Sequence, residues 1–370
     1  MLRTVGVEEE LLLVDAGSFT PRAVAGAVLE GEKGGELVAE LQQQQLEINT
    51  HPCESLEQLR GELRAWRGRA AELARAQGAE VAALATSPLP VSPQLTPGGR
   101  YRRMADLFGL TAQEQLTCGC HIHVGVTSDE EGVAVIDRIR PWLAPLLALS
   151  TNSPLWQGRD TGYAGYRYQV FGRWPTAGPP ELFGSAAGYR HAVGAMLGTG
   201  TLLDQGMVYF DVRLSVTFPT VEVRVCDVCP DAEDAVLLAA LVRGLVETAA
   251  RDWSAGHPAP DVGVHVLRLA AWRACRSGLQ GSLVHPLTHR PATAREVVEA
   301  VVAHTAAALE EAGDLDTVRA GVERLLTRGT GARWQREVYA ERGAAAVVRE
   351  AVERTQSFQG LSGRSPWDRP

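Results

Sequence analysis

Residues 209–228 read YFDVRLSVTFPTVEVRVCDV, and the alternation along them decides the fold. β-Branched and aromatic residues recur at every second position on both sides of Pro219, the pattern of strands with one apolar and one polar face. Phe210, Val212, Leu214, Val216 and Phe218 take one side, opposing Tyr209, Asp211, Arg213, Ser215 and Thr217. After Pro219, Val221, Val223 and Val225 oppose Glu222 and Arg224. The spacing predicts strands over 208–218 and 220–228 joined as a hairpin, with an apolar face for helices to cover.

Further strands are expected upstream at 3–14, 41–50 and 116–126. In GVEEELLLV (6–14), Glu8 and Glu10 share a face opposite Val7, Glu9 and Leu11; in the next, Gln43, Gln45, Glu47 and Asn49 oppose Gln44, Leu46 and Ile48. An amphipathic helix over 54–77 presents Leu56, Leu59, Leu63 and Trp66 together, and a second is expected near 130–149. Beyond Asp231 the chain reads as helices over 231–252, 261–277, 293–311, 314–327 and 335–356. Strands then helices, without an internal repeat or a linker, make an α+β domain over 1–356, followed by a tail over 357–370 expected to be disordered.

Composition narrows the function. The 370 residues carry a formal net charge of −8 without a long basic block, so neither nucleic acid nor an anionic membrane is the expected partner. No apolar run is long enough to span a bilayer, and the acidic N-terminal stretch does not read as a signal peptide, which makes the cytoplasm the default and the six cysteines thiols. Lys33, in GEKGG, is the single lysine. A Schiff-base enzyme or a P-loop nucleotide hydrolase needs a placed lysine, so both are disfavoured.

The polar strand faces bring Glu8, Glu10, Glu47 and Glu222 onto one surface. Like charges opposed across strands destabilise a sheet, so a cation is expected among them. Several carboxylates suit Mg²⁺ or Mn²⁺, and Arg213 and Arg224 on the same faces suit phosphate oxygens. An ordinary solvated sheet face is the plainer alternative. The stretch CGCHIHVGV (118–126) invites a zinc reading, but in a regular strand Cys118 and Cys120 point one way and His121 and His123 the other. A bulge at Gly119 would change that. Cys226 and Cys229 lack a second pair at zinc-ribbon spacing and read as structural thiols.

Together, GVEEELLLV, QLEINTHPC, CGCHIHVGV, NSPLWQGRDTGYAGYR, RWPTAGPPELFG and YFDVRLSVTFPTVEVRVCDVCPDAEDAV, in this order over about 4–335, resemble the carboxylate-amine ligase family related to type 2 glutamate-cysteine ligase. The resemblance implies a glutamine synthetase/guanido kinase-like fold: a curved, mainly antiparallel sheet whose concave polar face holds ATP and divalent metal, flanked by helices. It also implies amide formation through an acyl phosphate between an amino acid such as glutamate and an amine such as cysteine, and a homodimer. By similarity, Glu8, Glu10, Glu47, His121 and Glu222 are metal-binding positions, with Arg224 near the transferred phosphate and Glu40 a further acidic candidate. Relatives more often carry GMHVHVGV, which makes Cys120 a packing position, and His51 in INTHPC is a departure beside the sheet.

The Gly-, Pro- and Trp-rich stretch 152–184 is the expected cover, with Arg159, Tyr163 and Arg167 as candidates for gripping a substrate carboxylate and His123 for handling the amine. Two other readings remain: a metal-dependent amidase or hydrolase, which would turn over without ATP, and an inactive nucleotide-binding paralogue, which would bind ATP without turnover.

Overall fold

The computed structural model describes residues 2–32 and 34–357. Apart from Ser357, the tail expected to be disordered lies outside the described residues. Seven strands, β1 (Val5–Asp15), β2 (Leu37–Ala39), β3 (Gln45–Asn49), β4 (Ala79–Ala82), β5 (Gly119–Gly125), β6 (Val212–Leu214) and β7 (Thr220–Asp227), build one antiparallel sheet. Its order is β2-β3-β1-β5-β7-β6, with β4 on the far end of β1 beyond the stretch that pairs β5.

One face is apolar and covered. Val7 and Leu11 of β1, Leu46 and Ile48 of β3, Ile122 and Val124 of β5, and Val221 and Val223 of β7 are all buried. Helices α1 (Leu56–Ala76), α2 (Asp129–Ile139), α3 (Leu143–Ser150) and α4 (Ala232–Ser254) pack against the strands. The helix starts are chemically marked: Ser55, Ser128 and Asp231 each accept a backbone N–H in the first turn of α1, α2 and α4. Leu56, Leu59, Leu63 and Trp66 of α1 face the core as their spacing predicts. Helices Val264–Ser277, Ala294–Glu311 and Leu315–Arg328 form an outer layer on α3 and α4.

Glu9 breaks the apolar pattern and the structure shows how it is tolerated. Its carboxylate is wholly buried and receives Nε and Nη2 of Arg67, both at 2.7 Å. The same guanidinium donates to the carbonyls of Cys229 and Pro230, tying α1 to β1 and to the chain just before α4.

Several boundaries depart from the expected ones. The helix near 130–149 is broken by a 3₁₀ turn at Arg140–Trp142, where Pro141 supplies no N–H. The helix over 335–356 is two, Gly331–Arg342 and Ala344–Thr355, divided at Gly343 with φ 79°. Strand 208–218 shrinks to β6 because Phe210 bridges Gly178 instead, with the Asp211 N–H on the Gly178 carbonyl at 2.9 Å.

A bulge also interrupts the ladder. Cys120 faces Cys226 and Ile122 faces Val223, so β7 carries one residue more than β5 across that step. Its consequence is a change of phase: Glu222 lies beside His123 on the polar face, while beyond the bulge it is Asp227, not Cys226, that falls beside Gly119 on that face.

Candidate active site

Strand register collects the acids. Glu10 lies directly across from Glu47, Glu8 lies between Asn49 and His121, and His123 lies across from Glu222. Residues paired in this way share a face, so four strands, β1, β3, β5 and β7, contribute to one polar surface. Glu8, Glu10, Glu47, His121 and Arg224 line a cavity of about 210 Å³. Segments outside the sheet add Glu40, Arg100 and Tyr101 of helix Gly99–Phe108, Phe171 at the end of helix Tyr166–Phe171, Trp174 and Tyr209 to its lining. A larger cavity of about 490 Å³ lies elsewhere, among Arg3, Arg243, Glu247, Arg251 and Glu311. Its charges neutralise each other through ion pairs such as Arg251–Glu311 and Arg3–Glu247, and none of the sequence-predicted residues lies there.

The polar contacts form a chain. The Glu8 carboxylate meets Nδ1 of His121 at 3.2 Å and Nε2 of His123 at 3.1 Å, and the Thr220 hydroxyl meets Nδ1 of His123 at 2.9 Å. Glu10 accepts the Gly119 N–H at 2.5 Å. Glu222 accepts Nε and Nη2 of Arg213 at 2.7 and 3.1 Å and pairs also with Arg224. Arg213 donates its Nη1 to the Gly206 and Val208 carbonyls, which fastens the preceding loop to the sheet.

Charge crowding is visible in the titration behaviour. Desolvation, then Glu40, pushes Glu10 up to about 7, and the same two causes raise Glu47 well above the usual carboxylate range. Burial opposes ionisation of Glu222, but Arg224 and Arg213 outweigh it and hold the group at about 2. At Glu8 burial is likewise overcome, here by His121 and His123, and its pKa falls well below the ordinary value. Burial, then Arg224, lowers His121 to about 4, so its imidazole is neutral at pH 7.

The donor set fits a hard divalent cation. Ligand atoms of Glu8, Glu47 and His121 lie within 4.8 Å of one another, as do those of Glu10, Glu40 and Glu47, and those of Glu8, His123 and Glu222. Nε2 of His121 is buried without a hydrogen-bond partner among the described residues, a condition that suits a metal-ligand nitrogen. Carboxylate oxygens with an imidazole suit Mg²⁺ or Mn²⁺. The cysteines do not converge with the histidines. Cys120 is buried in the core with Ile122 and Val124, and Cys118, just before β5, sits in a separate apolar cluster with Leu11, Leu46 and Leu116, its sulfur 3.9 Å from the Gln45 amide. The two sulfurs therefore do not share one environment, as strand alternation alone would have it.

The expected substrate grips are dispersed. Arg159 is exposed in a two-residue strand and Tyr163 packs at a tilt against Tyr166 and beneath Arg276, neither lining the cavity. Arg167 is buried, its guanidinium 3.9 Å from Asp227 and directed at the Arg224 and Val225 carbonyls of the bulge. The cover drawn from 152–184 reaches the cavity through Phe171 and Trp174. Arg100, Tyr101 and Tyr209 also line it; Tyr209 shared the polar parity of Arg213, whereas no pattern in the Pro-rich approach to residue 100 announced that its helix would fold over the acids.

The profile of glutamate-cysteine ligase family 2 matches residues 4–355. A Streptomyces coelicolor protein provisionally named glutamate–cysteine ligase 2 is 55% identical over 362 residues, covering 96% of this chain and 100% of that one. A Paenarthrobacter aurescens protein provisionally named glutamate–cysteine ligase 2-1 is 48% identical, with 96% of each chain covered. Among solved structures, the Francisella tularensis glutamate–cysteine ligase in complex with AMP superposes with a TM-score of 0.70 at 14% identity, over 97% of this chain and 90% of that one. The ligase PafA, in complex with the ubiquitin-like protein Pup, gives 0.50 at 14% identity, over 100% and 70%. The mixed helix and antiparallel sheet architecture is shared with them. The chain belongs to glutamate-cysteine ligase family 2, and is a ligase that forms carbon–nitrogen bonds.

Proposed function

We propose that the chain joins the carboxylate of an amino acid such as glutamate to an amine such as that of cysteine, at the expense of ATP and through an acyl phosphate. The observation that carries this reading is the register itself, which places Glu8, Glu10, Glu47, Glu222 and His121 on one face beside Arg224. An acidic surface of this kind suits a nucleotide only when divalent cations stand between the two.

In the proposed sequence a carboxylate oxygen of the acid attacks the γ-phosphorus of ATP and ADP departs. The amine nitrogen then attacks the acyl carbon, phosphate departs, and the amine gives up a proton. Divalent ions held by Glu8, Glu10, Glu47, His121 and Glu222 would supply charge neutralisation at the transferred phosphate. Arg224 contributes a guanidinium whose buried Nε has no partner among the described residues, a donor available to an anionic oxygen. Arg213 holds Glu222 in place rather than facing the cavity with free donors. Phe171 and Trp174, whose ring centroids each lie 5.4 Å from that of Tyr209, edge-on and tilted respectively, make with it an apolar wall that keeps water from the acyl phosphate.

The test is ADP release in the presence of Mg²⁺ across pools of amino acids and amines, with the product identified by mass spectrometry. Release is expected only when both an acid and an amine are present, and Glu222→Ala is expected to abolish it. Turnover without ATP would favour an amidase on the same face, and full activity in Glu222→Ala would sink the ligase mechanism.

A further inference from the structure

The cavity is lined by three arginines whose engagements differ. Arg213 and Arg224 are both tied to Glu222, on the acid sheet itself. Arg100, from helix Gly99–Phe108, reaches instead to Asp204, Nε to Oδ2 at 2.7 Å and Nη2 to Oδ1 at 3.0 Å. Asp204 belongs to none of the acidic groups suited to an ion, and the two side chains are 40% and 42% exposed.

The segments that carry this pair are fastened to opposite edges of the sheet. On the Arg100 side, the Thr96 hydroxyl donates to the Glu40 carbonyl at 2.5 Å and the Tyr101 hydroxyl to the Ala39 carbonyl of edge strand β2 at 3.3 Å. On the Asp204 side, Arg213 of the other edge strand, β6, holds the Gly206 and Val208 carbonyls. The ion pair therefore joins helix Gly99–Phe108 to the segment around Gly206, both of which line the cavity. Gly206 is confined by it, since a Cβ there would lie 2.9 Å from the Asp204 carboxylate and 3.4 Å from Arg100.

We propose that Arg100 is a specificity residue that grips a non-reacting carboxylate of the acid substrate, and that Asp204 is an internal carboxylate occupying the fork until substrate displaces it. The planar guanidinium already holds a carboxylate two-handed, so exchanging one carboxylate for another conserves both hydrogen bonds. Because the resident pair is half-exposed, its loss is mild. The proposal rests on the ligase reading for the identity of the substrate, but its binding test does not need turnover.

L-Glutamate is titrated calorimetrically into wild type, Asp204→Asn, Arg100→Ala and Arg100→Lys, and KM for glutamate and for ATP is measured separately with L-cysteine and Mg²⁺. Asp204→Asn is expected to tighten glutamate about two- to fivefold by removing the competitor. Arg100→Ala is expected to weaken it roughly tenfold or more, Arg100→Lys to recover part of that, and KM for ATP to stay unchanged in all three variants. Glutamate affinity that is unmoved or reduced in Asp204→Asn overturns the proposal, as does an Arg100→Ala effect on ATP alone, or the absence of glutamate binding in both wild type and Asp204→Asn. Failure of wild type to release ADP would remove the ligase reading while the titrations still decide the exchange.

Discussion

Gly119 shows how much of this site depends on an atom that is missing. A Cβ at that position would lie 2.1 Å from Nη2 and 2.8 Å from Cζ of Arg167, and Arg167 is buried with its guanidinium directed at the carbonyls that carry the β7 bulge. The glycine also aims its N–H at Glu10. Gly119→Ala must displace a buried charged group, so it is expected to cost about 1–3 kcal/mol of stability, read from the urea midpoint, and to abolish ligase activity through the bulge. An active Gly119→Ala would mean that Arg167 is not what holds Arg224 in register. Asp211 offers a second test at this scale. Burial raises its pKa to about 7 against the help of the Tyr168 hydroxyl at 2.9 Å and of Arg167. The folded chain thus binds a proton here that the unfolded chain gives up near pH 4, so this contribution to stability is full below pH 4 and is lost as pH rises through about 7. Asp211→Asn keeps an oxygen for Tyr168 and is expected to flatten the fall in stability between pH 4 and 7, measured by urea unfolding at several pH values. An unchanged slope would show that Asp211 is ionised in the fold.

Elements were legible where a side chain's neighbours follow from alternation and illegible where they come from a distant turn. β1, β3, β5 and β7 follow from period two, and the register then delivers Glu10 to Glu47 and Glu8 to His121 without further information. The short strands β2 and β4 and helices Gly99–Phe108 and Ala186–Gly198 carry too few alternating or periodic residues to stand out. The β7 bulge was unreadable for another reason: it makes Cys226 and Asp227 exchange the faces that simple parity assigns them, and alternation along the strand alone gives no sign of it. Glu9 is the sharpest instance. Its parity placed a carboxylate in the core, and nothing in the sequence named Arg67, 58 positions away, as the partner. Removing one member leaves the other buried and unpaired, so Arg67→Ala or Glu9→Ala is expected to cost about 3–5 kcal/mol, whereas a joint Glu9→Leu, Arg67→Met replacement costs less than either. Chemical denaturation of wild type, the two single variants and the double replacement compares breaking the pair with replacing it. A double variant as unstable as the sum of the singles would show that the pair contributes through separate contacts.

At the scale of the whole molecule the acid face stands as a conflict between stability and function. The packed side of the sheet, with α1 and α4 across it, holds together a polar side on which Glu10, Glu40 and Glu47 repel one another. Strained charge of this kind persists where the surrounding fold overrides it, and it is relieved when a cation binds. Glu47, like Glu8, belongs to two of the three groups among the described residues that could hold an ion, and one of its two is the all-carboxylate set with Glu10 and Glu40, so it tests the conflict directly. Glu47→Gln retains an oxygen for the Asn49 amide at 3.2 Å while removing one negative charge. Without metal, and at a pH above neutral where ionising Glu47 beside Glu40 and Glu10 is costly, the variant is expected to be about 0.5–1 kcal/mol more stable than wild type. With saturating Mg²⁺ or Mn²⁺ the order should reverse. Ion bound to the folded wild type at a hundred times its Kd adds about 2.7 kcal/mol, which the variant would largely lack. Thermal unfolding of both proteins in chelator and in excess metal reads all four values. A wild type whose Tm ignores both ions would separate the acidic face from metal binding, and a Glu47→Gln protein less stable than wild type in chelator would show that the carboxylates are not in conflict.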